Sequence, residues 1–211
     1  MLQYLPEFIT VASIHLLAVM SPGPDFVMIT RQAFTHSRRL ALWSAVGLGL
    51  GIGVHVTYSL IGIGLLISKS ILLFNLIKWA GAIYLIYLGI QSLKSQKHDT
   101  KEVVINAEKV ESLSVFQAIR VGFLTNALNP KATIFFLAVF SQIISPSTPV
   151  FIRLSYGIEM ILATILWFSF VVYVLSNKFI KSRFLSVVHI VERVTGAILI
   201  GLGIKVILEK S

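Results

Sequence analysis

The 211-residue sequence contains no cysteine, which excludes disulfide bonds, thiolate catalysis and cysteine-ligated zinc or iron–sulfur sites. Charged residues make up only 13% of the chain, whereas soluble domains use ~25%. The sequence also lacks a Walker-type phosphate loop, a Gly-x-Ser-x-Gly nucleophile elbow and any cluster of metal ligands. These absences argue against a soluble enzyme, against direct drive by ATP, and against a resident cofactor or metal.

Hydrophobic residues, in contrast, make up 56% of the chain, and the mean hydropathy is +0.87. Apolar runs of spanning length predict an all-α polytopic membrane protein embedded in the lipid bilayer. The sixth span is the least regular, because Glu192 and Arg193 lie inside it. We expect six spans, at about residues 5–30, 40–68, 72–93, 116–144, 152–176 and 187–208.

Basic residues lie mainly in the loops after the first, third and fifth predicted spans. The positive-inside rule therefore places these loops in the cytoplasm and both termini on the outer, periplasmic side. The formal net charge of +9 does not indicate a nucleic-acid partner, because the basic residues are distributed between apolar runs.

A polar segment, residues 95–114, divides the single membrane domain 1–211 into two parts, 1–94 and 115–211. We interpret the segment as a cytoplasmic linker. The motif Lys78-Trp79-Ala80-Gly81-Ala82-Ile83 resembles Arg193-Val194-Thr195-Gly196-Ala197-Ile198 in the last span. Each part contains three spans. Because three is an odd number, the second part must be inverted across the bilayer relative to the first. The predicted fold is therefore two inverted three-helix repeats.

Two corresponding spans are interrupted by proline next to a charged residue. The first, Pro22-Gly23-Pro24, directly precedes Asp25, and the second is Asn129-Pro130-Lys131. Paired interruptions in inverted repeats point to a transporter's binding site. The exposed ends of half-helices suit the carboxylate and ammonium groups of a zwitterion. The alternative is that these prolines only kink the helices and shape their packing.

Asp25 and Lys131 occupy matching places and can pair with each other across the pseudo-axis. Alternatively, Asp25 binds a substrate ammonium or cycles a proton, and Lys131 meets a carboxylate. A Lys131 that extends to the membrane surface is a further alternative. Asn126 and Asn129 either line the cavity or satisfy carbonyls freed by the break. Ser21, directly before the first break, completes this set of candidate ligands.

The other polar residues within spans have two interpretations each. His55 can relay protons or pack as a neutral ring. Tyr84 can line the substrate cavity or pack against Tyr87, and Glu159 can be a second coupling acid or an interfacial partner of a base. The glycine series at residues 47, 49, 51 and 53 follows no strand, so it indicates close helix contacts rather than a nucleotide-binding loop.

At these residues the chain resembles the lysine exporter (LysE) superfamily, in particular its homoserine/threonine efflux branch. The resemblance covers nearly the whole length and includes the size and the six-span plan. The matching segments are Ser21-Pro22-Gly23-Pro24-Asp25-Phe26, Gly81-Ala82-Ile83-Tyr84-Leu85, Gly122-Phe123-Leu124-Thr125-Asn126, Asn129-Pro130-Lys131-Ala132, and Gly196-Ala197.

The resemblance implies a bacterial inner-membrane exporter of small amino acids or their derivatives, driven by proton antiport. It implies neither an enzyme nor a cofactor. One alternative is an exporter of another small solute or a cation. Another is an intramembrane enzyme, for which the sequence offers no nucleophile–base pair. The small-residue ridges permit a homodimer without requiring one.

Overall fold

The computed structural model describes residues 2–21, 23–69, 71–94, 113–145 and 147–208, and every regular element in these ranges is helical. Pro22 and nearly all of the predicted linker, residues 95–112, lie outside the described residues. A short 3-10 turn, Leu2–Tyr4, precedes the first helix. The eight described α-helices are α1 (Leu5–Met20), α2 (Pro24–Thr35), α3 (Arg38–Lys69), α4 (Ile71–Leu93), α5 (Val115–Ala127), α6 (Pro130–Gln142), α7 (Val150–Leu175) and α8 (Lys178–Leu208).

The first interruption lies where the sequence predicts it, between α1 and α2. The Ser21 N–H donates back to the carbonyls of Leu17 and Ala18, at 3.1 and 3.2 Å, and completes the last turn of α1. The chain then passes through extended backbone at Gly23 and resumes at Pro24. Proline suits the first position of a helix, where its missing N–H would have no intrahelical partner.

The second interruption separates α5 from α6, whose axes are bent by 57°. In a continuous helix the Asn126 carbonyl would accept from the N–H of residue 130, which is proline and has none. It accepts instead from the Asn129 N–H at 2.9 Å. The Asn129 side chain caps the new helix by accepting from the Lys131 N–H at 3.0 Å. Pro130 therefore both ends one helix and begins the next.

The structure confirms the predicted class of an all-helical membrane protein. Within the described residues, three helices are long and apolar enough to cross a bilayer, at Leu2–Met20, Arg38–Ile61 and Val150–Leu175, and the bent pair α5–α6 is a fourth if it counts as one span. The apolar part of α4, Trp79–Leu93, is shorter. The last helix begins at Lys178, several residues before the predicted start of the sixth span.

Glycines let α3 approach two helices at once. Gly47 and Gly51 face α5, where a Cβ on Gly51 would lie 2.7 Å from the Asn126 Cβ. Gly49 faces the opposite neighbour, α7, at Ile165. The contact is reciprocal, because a Cβ on Gly122 of α5 would overlap the Ser44 carbonyl of α3. The glycine series therefore forms the close helix contacts expected from its spacing.

A second glycine contact joins α4 to α8. A Cβ on Gly89 would lie 2.5 Å from the Gly196 carbonyl oxygen, and a Cβ on Gly196 would lie 2.6 Å from the Gly89 carbonyl oxygen. Further along, Gly203 meets the Ala82 carbonyl in the same way, at 2.7 Å. Each contact joins a residue of one of the two similar motifs, Gly196 or Ala82, to a glycine further along the other helix, so the last helices of the two parts pack backbone against backbone.

We expect Gly122→Leu to destabilise the protein, because no side chain fits between α5 and the α3 backbone. Overpacking typically costs about 1–3 kcal/mol, and here the obstacle is backbone rather than a flexible side chain. The matched control is Gly201→Leu, since nothing lies within 4 Å of a Cβ at Gly201. Thermal unfolding in detergent should show a clearly lower melting temperature for the first variant only. Equal shifts for both would contradict the close α3–α5 contact.

Candidate functional site

The two interruptions meet in the interior and enclose a shared cavity. The cavity has about 420 Å³ of empty space, counting its open mouth. We call the polar residues that the two interruptions contribute to it the break site. They are Ser21, Asp25, Asn126, Asn129 and Lys131.

The carboxylate of Asp25 is held by two amides from the opposite interruption. Asn126 Nδ2 donates to Oδ2 at 2.7 Å, and Asn129 Nδ2 donates to Oδ1 at 3.2 Å. Asp25 also lies in the first turn of α2, where the positive end of the helix dipole favours an anion. Both asparagines therefore face the cavity, and each also takes part in the turn around Pro130.

Lys131 extends in the other direction, toward the first interruption. Its Nζ donates to the carbonyl oxygen and to Oγ of Ser21, both at 3.1 Å. The side chain passes over Gly23, where a Cβ would lie 3.2 Å from Lys131 Cδ. Lys131 thus points into the site rather than to the membrane surface, and its charge interacts with that of Asp25. Each interruption supplies the partners of the other's charged residue.

The site extends to the contact between α4 and α8, through residues that the sequence analysis did not select. Ser21 Oγ lies 2.9 Å from Ser92 Oγ on α4. Glu192 on α8 is only 1% exposed, and its charge interacts with that of Lys131. A usable signal existed for Glu192, because an acid within an apolar run is the same signal that identified Asp25. No comparable signal marks Ser92.

His55 lies behind the second interruption rather than in the cavity wall. Its Nε2 is 2.8 Å from the Asn126 carbonyl, and its Nδ1 is 2.8 Å from the Tyr58 hydroxyl. The Tyr58 hydroxyl also lies 3.2 Å from the Thr133 carbonyl. A carbonyl only accepts, so Nε2 must carry a hydrogen. His55 and Tyr58 therefore connect α3 to both halves of the broken helix.

The remaining candidates lie in different places. Tyr84 stacks on Tyr87, with ring centroids 6.0 Å apart, and lines a separate apolar groove together with Leu137. Glu159, on α7, does not belong to the lining of the cavity. His15, in contrast, lines the cavity and is fully buried, with Nε2 at 3.4 Å from a hydroxyl of α7.

Residues 16–210 match the family model described as LysE type translocator. The threonine efflux protein of Escherichia coli (strain K12) is 32% identical over 204 residues, which cover 96% of this chain and 98% of that protein. The threonine efflux protein of Salmonella typhi is 29% identical over 203 residues, with the same coverage.

A homoserine/homoserine lactone efflux protein of Salmonella typhimurium is 33% identical over 133 residues, which cover 63% of this chain and 62% of that protein. No solved structure matches the chain. These relatives are named as efflux proteins, which confirms the predictions of the family and of a protein that is not an enzyme. The chain belongs to the LysE type translocator family.

Proposed function

We propose that the protein exports small amino acids such as threonine or homoserine from the cytoplasm in exchange for protons. The observation that carries this proposal is the break site, where a carboxylate and an ammonium group from two broken helices face one cavity. The names of the relatives support the substrate class, since they are threonine and homoserine efflux proteins.

A zwitterionic amino acid is complementary to the two charged residues. Its carboxylate would replace Ser21 at the Lys131 ammonium, and its ammonium would approach the Asp25 carboxylate. Both contacts take the place of hydrogen bonds that now join the two interruptions. Substrate binding would therefore weaken the link between the interruptions, and a ligand shifts a conformational equilibrium only through such a difference between states.

We propose further that the described helices form six spans in two inverted repeats that rock against each other around this site. Support comes from the paired interruptions and from the backbone contact between α4 and α8, the helices that carry the two similar motifs. The basic loops would be cytoplasmic and both termini periplasmic, in the bacterial inner membrane. The linker 95–114 would then lie in the cytoplasm.

A carboxylate closes the end of the bundle near the N-terminus. Glu7 of α1 accepts from the Thr148 hydroxyl at 2.9 Å and from the Ser145 N–H at 3.1 Å, in the segment between α6 and α7. We call these contacts of Glu7 the clasp. Close to it, the centroids of the Phe8 and Tyr156 rings lie 5.6 Å apart. In the proposed orientation this end is periplasmic, so the clasp must open when the substrate leaves the cell.

Replacement of Asp25 by asparagine should abolish transport, because the substituted side chain offers no charge to an ammonium group. We expect threonine export from proteoliposomes, driven by a pH gradient, to fall by more than about tenfold, the effect of a ~1.4 kcal/mol loss. Glu159→Gln is the matched control, since it also neutralises an acid on a membrane helix but outside the cavity lining. Export at the wild-type rate by Asp25→Asn would remove Asp25 from the mechanism.

The role of Lys131 can be tested with a substrate analogue that lacks the carboxylate. We expect Lys131→Met to bind threonine more weakly, while 1-amino-2-propanol, its decarboxylated analogue, competes about as well as before. Competition for radiolabelled threonine in proteoliposomes gives both affinities. Lys205→Met, at the exposed end of α8, serves as the matched lysine variant. An equal loss of affinity for both compounds would contradict carboxylate binding by Lys131.

Because the chain has no native cysteine, the clasp can be tested by cross-linking. We expect the pair Glu7→Cys and Thr148→Cys to react with a short thiol cross-linker and to stop transport until a reductant is added. Each single variant is a control for modification without cross-linking. Membrane-impermeant reagents applied to intact cells should label both positions. Full transport by the cross-linked pair, or labelling only after lysis, would contradict the proposed exit route.

A further inference from the structure

His15 is a buried polar residue of the cavity wall that the binding scheme above does not use. Its side chain is fully buried, and it lines the same cavity as Asp25 and Lys131. Among the residues that the structure describes, its Nδ1 has no hydrogen-bond partner. A buried polar atom without a partner costs free energy and is uncommon in native proteins. Because this atom belongs to the wall of a cavity, a ligand is a natural partner for it.

The cavity has a polar end, which is the break site, and an apolar end. The wall continues from the break site along α1 and α6, away from both interruptions, through residues of which only the histidine is polar: His15, Ala18, Val19, Ala132, Phe135 and Phe136. His15 precedes Ser21 by six residues, so at ~1.5 Å rise per residue it lies about 9 Å further along α1. Two hydrogen bonds of about 3 Å, one at each end of a small amino acid, account for most of this distance.

The neighbours of His15 hold its ring in a defined position. The centroid of the ring lies 6.3 Å from that of Phe135 and 5.9 Å from that of Phe136, and both phenylalanines line the cavity. Nε2 of His15 lies 3.4 Å from the Thr164 hydroxyl of α7. Since the two nitrogens of an imidazole ring point in different directions, Nδ1 points away from Thr164 and remains available to a ligand.

A hydroxyl group is the ligand group that best suits this nitrogen. A neutral imidazole has one donor and one acceptor nitrogen, and the tautomer decides which of the two Nδ1 is. A hydroxyl donates as well as accepts, so it pairs with Nδ1 in either tautomer, whereas a methyl group pairs with neither. Threonine and homoserine each carry one hydroxyl on a short apolar side chain. That combination matches an apolar cavity end with a single polar residue.

We propose that His15 selects amino acids with a side-chain hydroxyl, because its Nδ1 forms a hydrogen bond with that hydroxyl in the apolar end of the cavity. The substrate ammonium remains at Asp25 and the substrate carboxylate at Lys131, as in the binding scheme. The substrate class is then small hydroxy amino acids and not small amino acids in general. This assignment rests on the proposed export function and adds the residue that recognises the side chain.

The compound 2-aminobutyrate provides the decisive comparison, because it is both threonine and homoserine without the hydroxyl. Radiolabelled 2-aminobutyrate serves as the tracer in proteoliposomes, and unlabelled threonine and homoserine compete with it. We expect the wild type to bind both hydroxy amino acids at least about tenfold more tightly than 2-aminobutyrate. In His15→Phe both should bind about as weakly as 2-aminobutyrate, whose own affinity should change by less than about threefold.

His189→Phe is the matched control. His189 is also a buried histidine whose Nδ1 has no partner within the described part of the chain, but it lies on α8 and is not among the residues that line the cavity. This variant should keep the preference of the wild type. His15→Asn, which retains a polar group near the place of Nδ1, should keep part of the preference. His15→Leu is a second apolar variant for the case that phenylalanine does not fit.

Three results would overturn the assignment of His15. They are equal affinities of the wild type for all three compounds, a full preference for hydroxy amino acids in His15→Phe or His15→Leu, and an equal loss of affinity for all three compounds in these variants. The last result would indicate that His15 only supports the structure. Failure of the export proposal would look different, because the wild type would then transport none of the three compounds.

Discussion

The hydrogen bonds between the Asp25 carboxylate and the two asparagine amides are the interaction on which the rest of the structure depends. Each broken helix leaves backbone groups and a charged side chain that lipid cannot solvate. Each interruption supplies partners for the charge of the other. Asp25 accepts from Asn126 and Asn129, and Lys131 donates to Ser21. The two interruptions therefore support each other, because removing the partner of a buried charge is strongly destabilising.

Glycine contacts fix the geometry that this exchange of partners requires. Gly51 lets the end of α5 lie against α3, so that the Asn126 side chain reaches across to Asp25. Gly23 leaves room for the Lys131 side chain to pass toward Ser21. A methyl group at either glycine would press on a residue of the break site. The small residues thus act on the site through the distance between backbones, and not through polar contacts of their own.

The interruptions and the five polar residues of the break site could be predicted because their signals are local. A proline or a charge within an apolar run is visible without knowledge of the fold, and this identified Asp25 and Lys131 together with the nearby Ser21, Asn126 and Asn129. The position of Tyr84 could not be predicted, because an aromatic residue on an apolar helix carries no signal of the face it occupies. The Ser21–Ser92 contact depends on how α4 rotates against α1 and α8, which only tertiary packing decides.

Asn126 connects the break site to α3, because it uses its side chain and its backbone in opposite directions. The amide holds Asp25, and the carbonyl faces His55 Nε2. If the Tyr58 hydroxyl donates to Thr133, then His55 Nδ1 must also carry a hydrogen, and the ring is a cation. If the ring is neutral, Tyr58 donates to Nδ1, and the Thr133 carbonyl loses this donor. A ligand that moves the Asn126 amide therefore also disturbs the contacts by which His55 and Tyr58 join α3 to the two half-helices. Binding in the site can thus change the packing of α3 against α5 and α6.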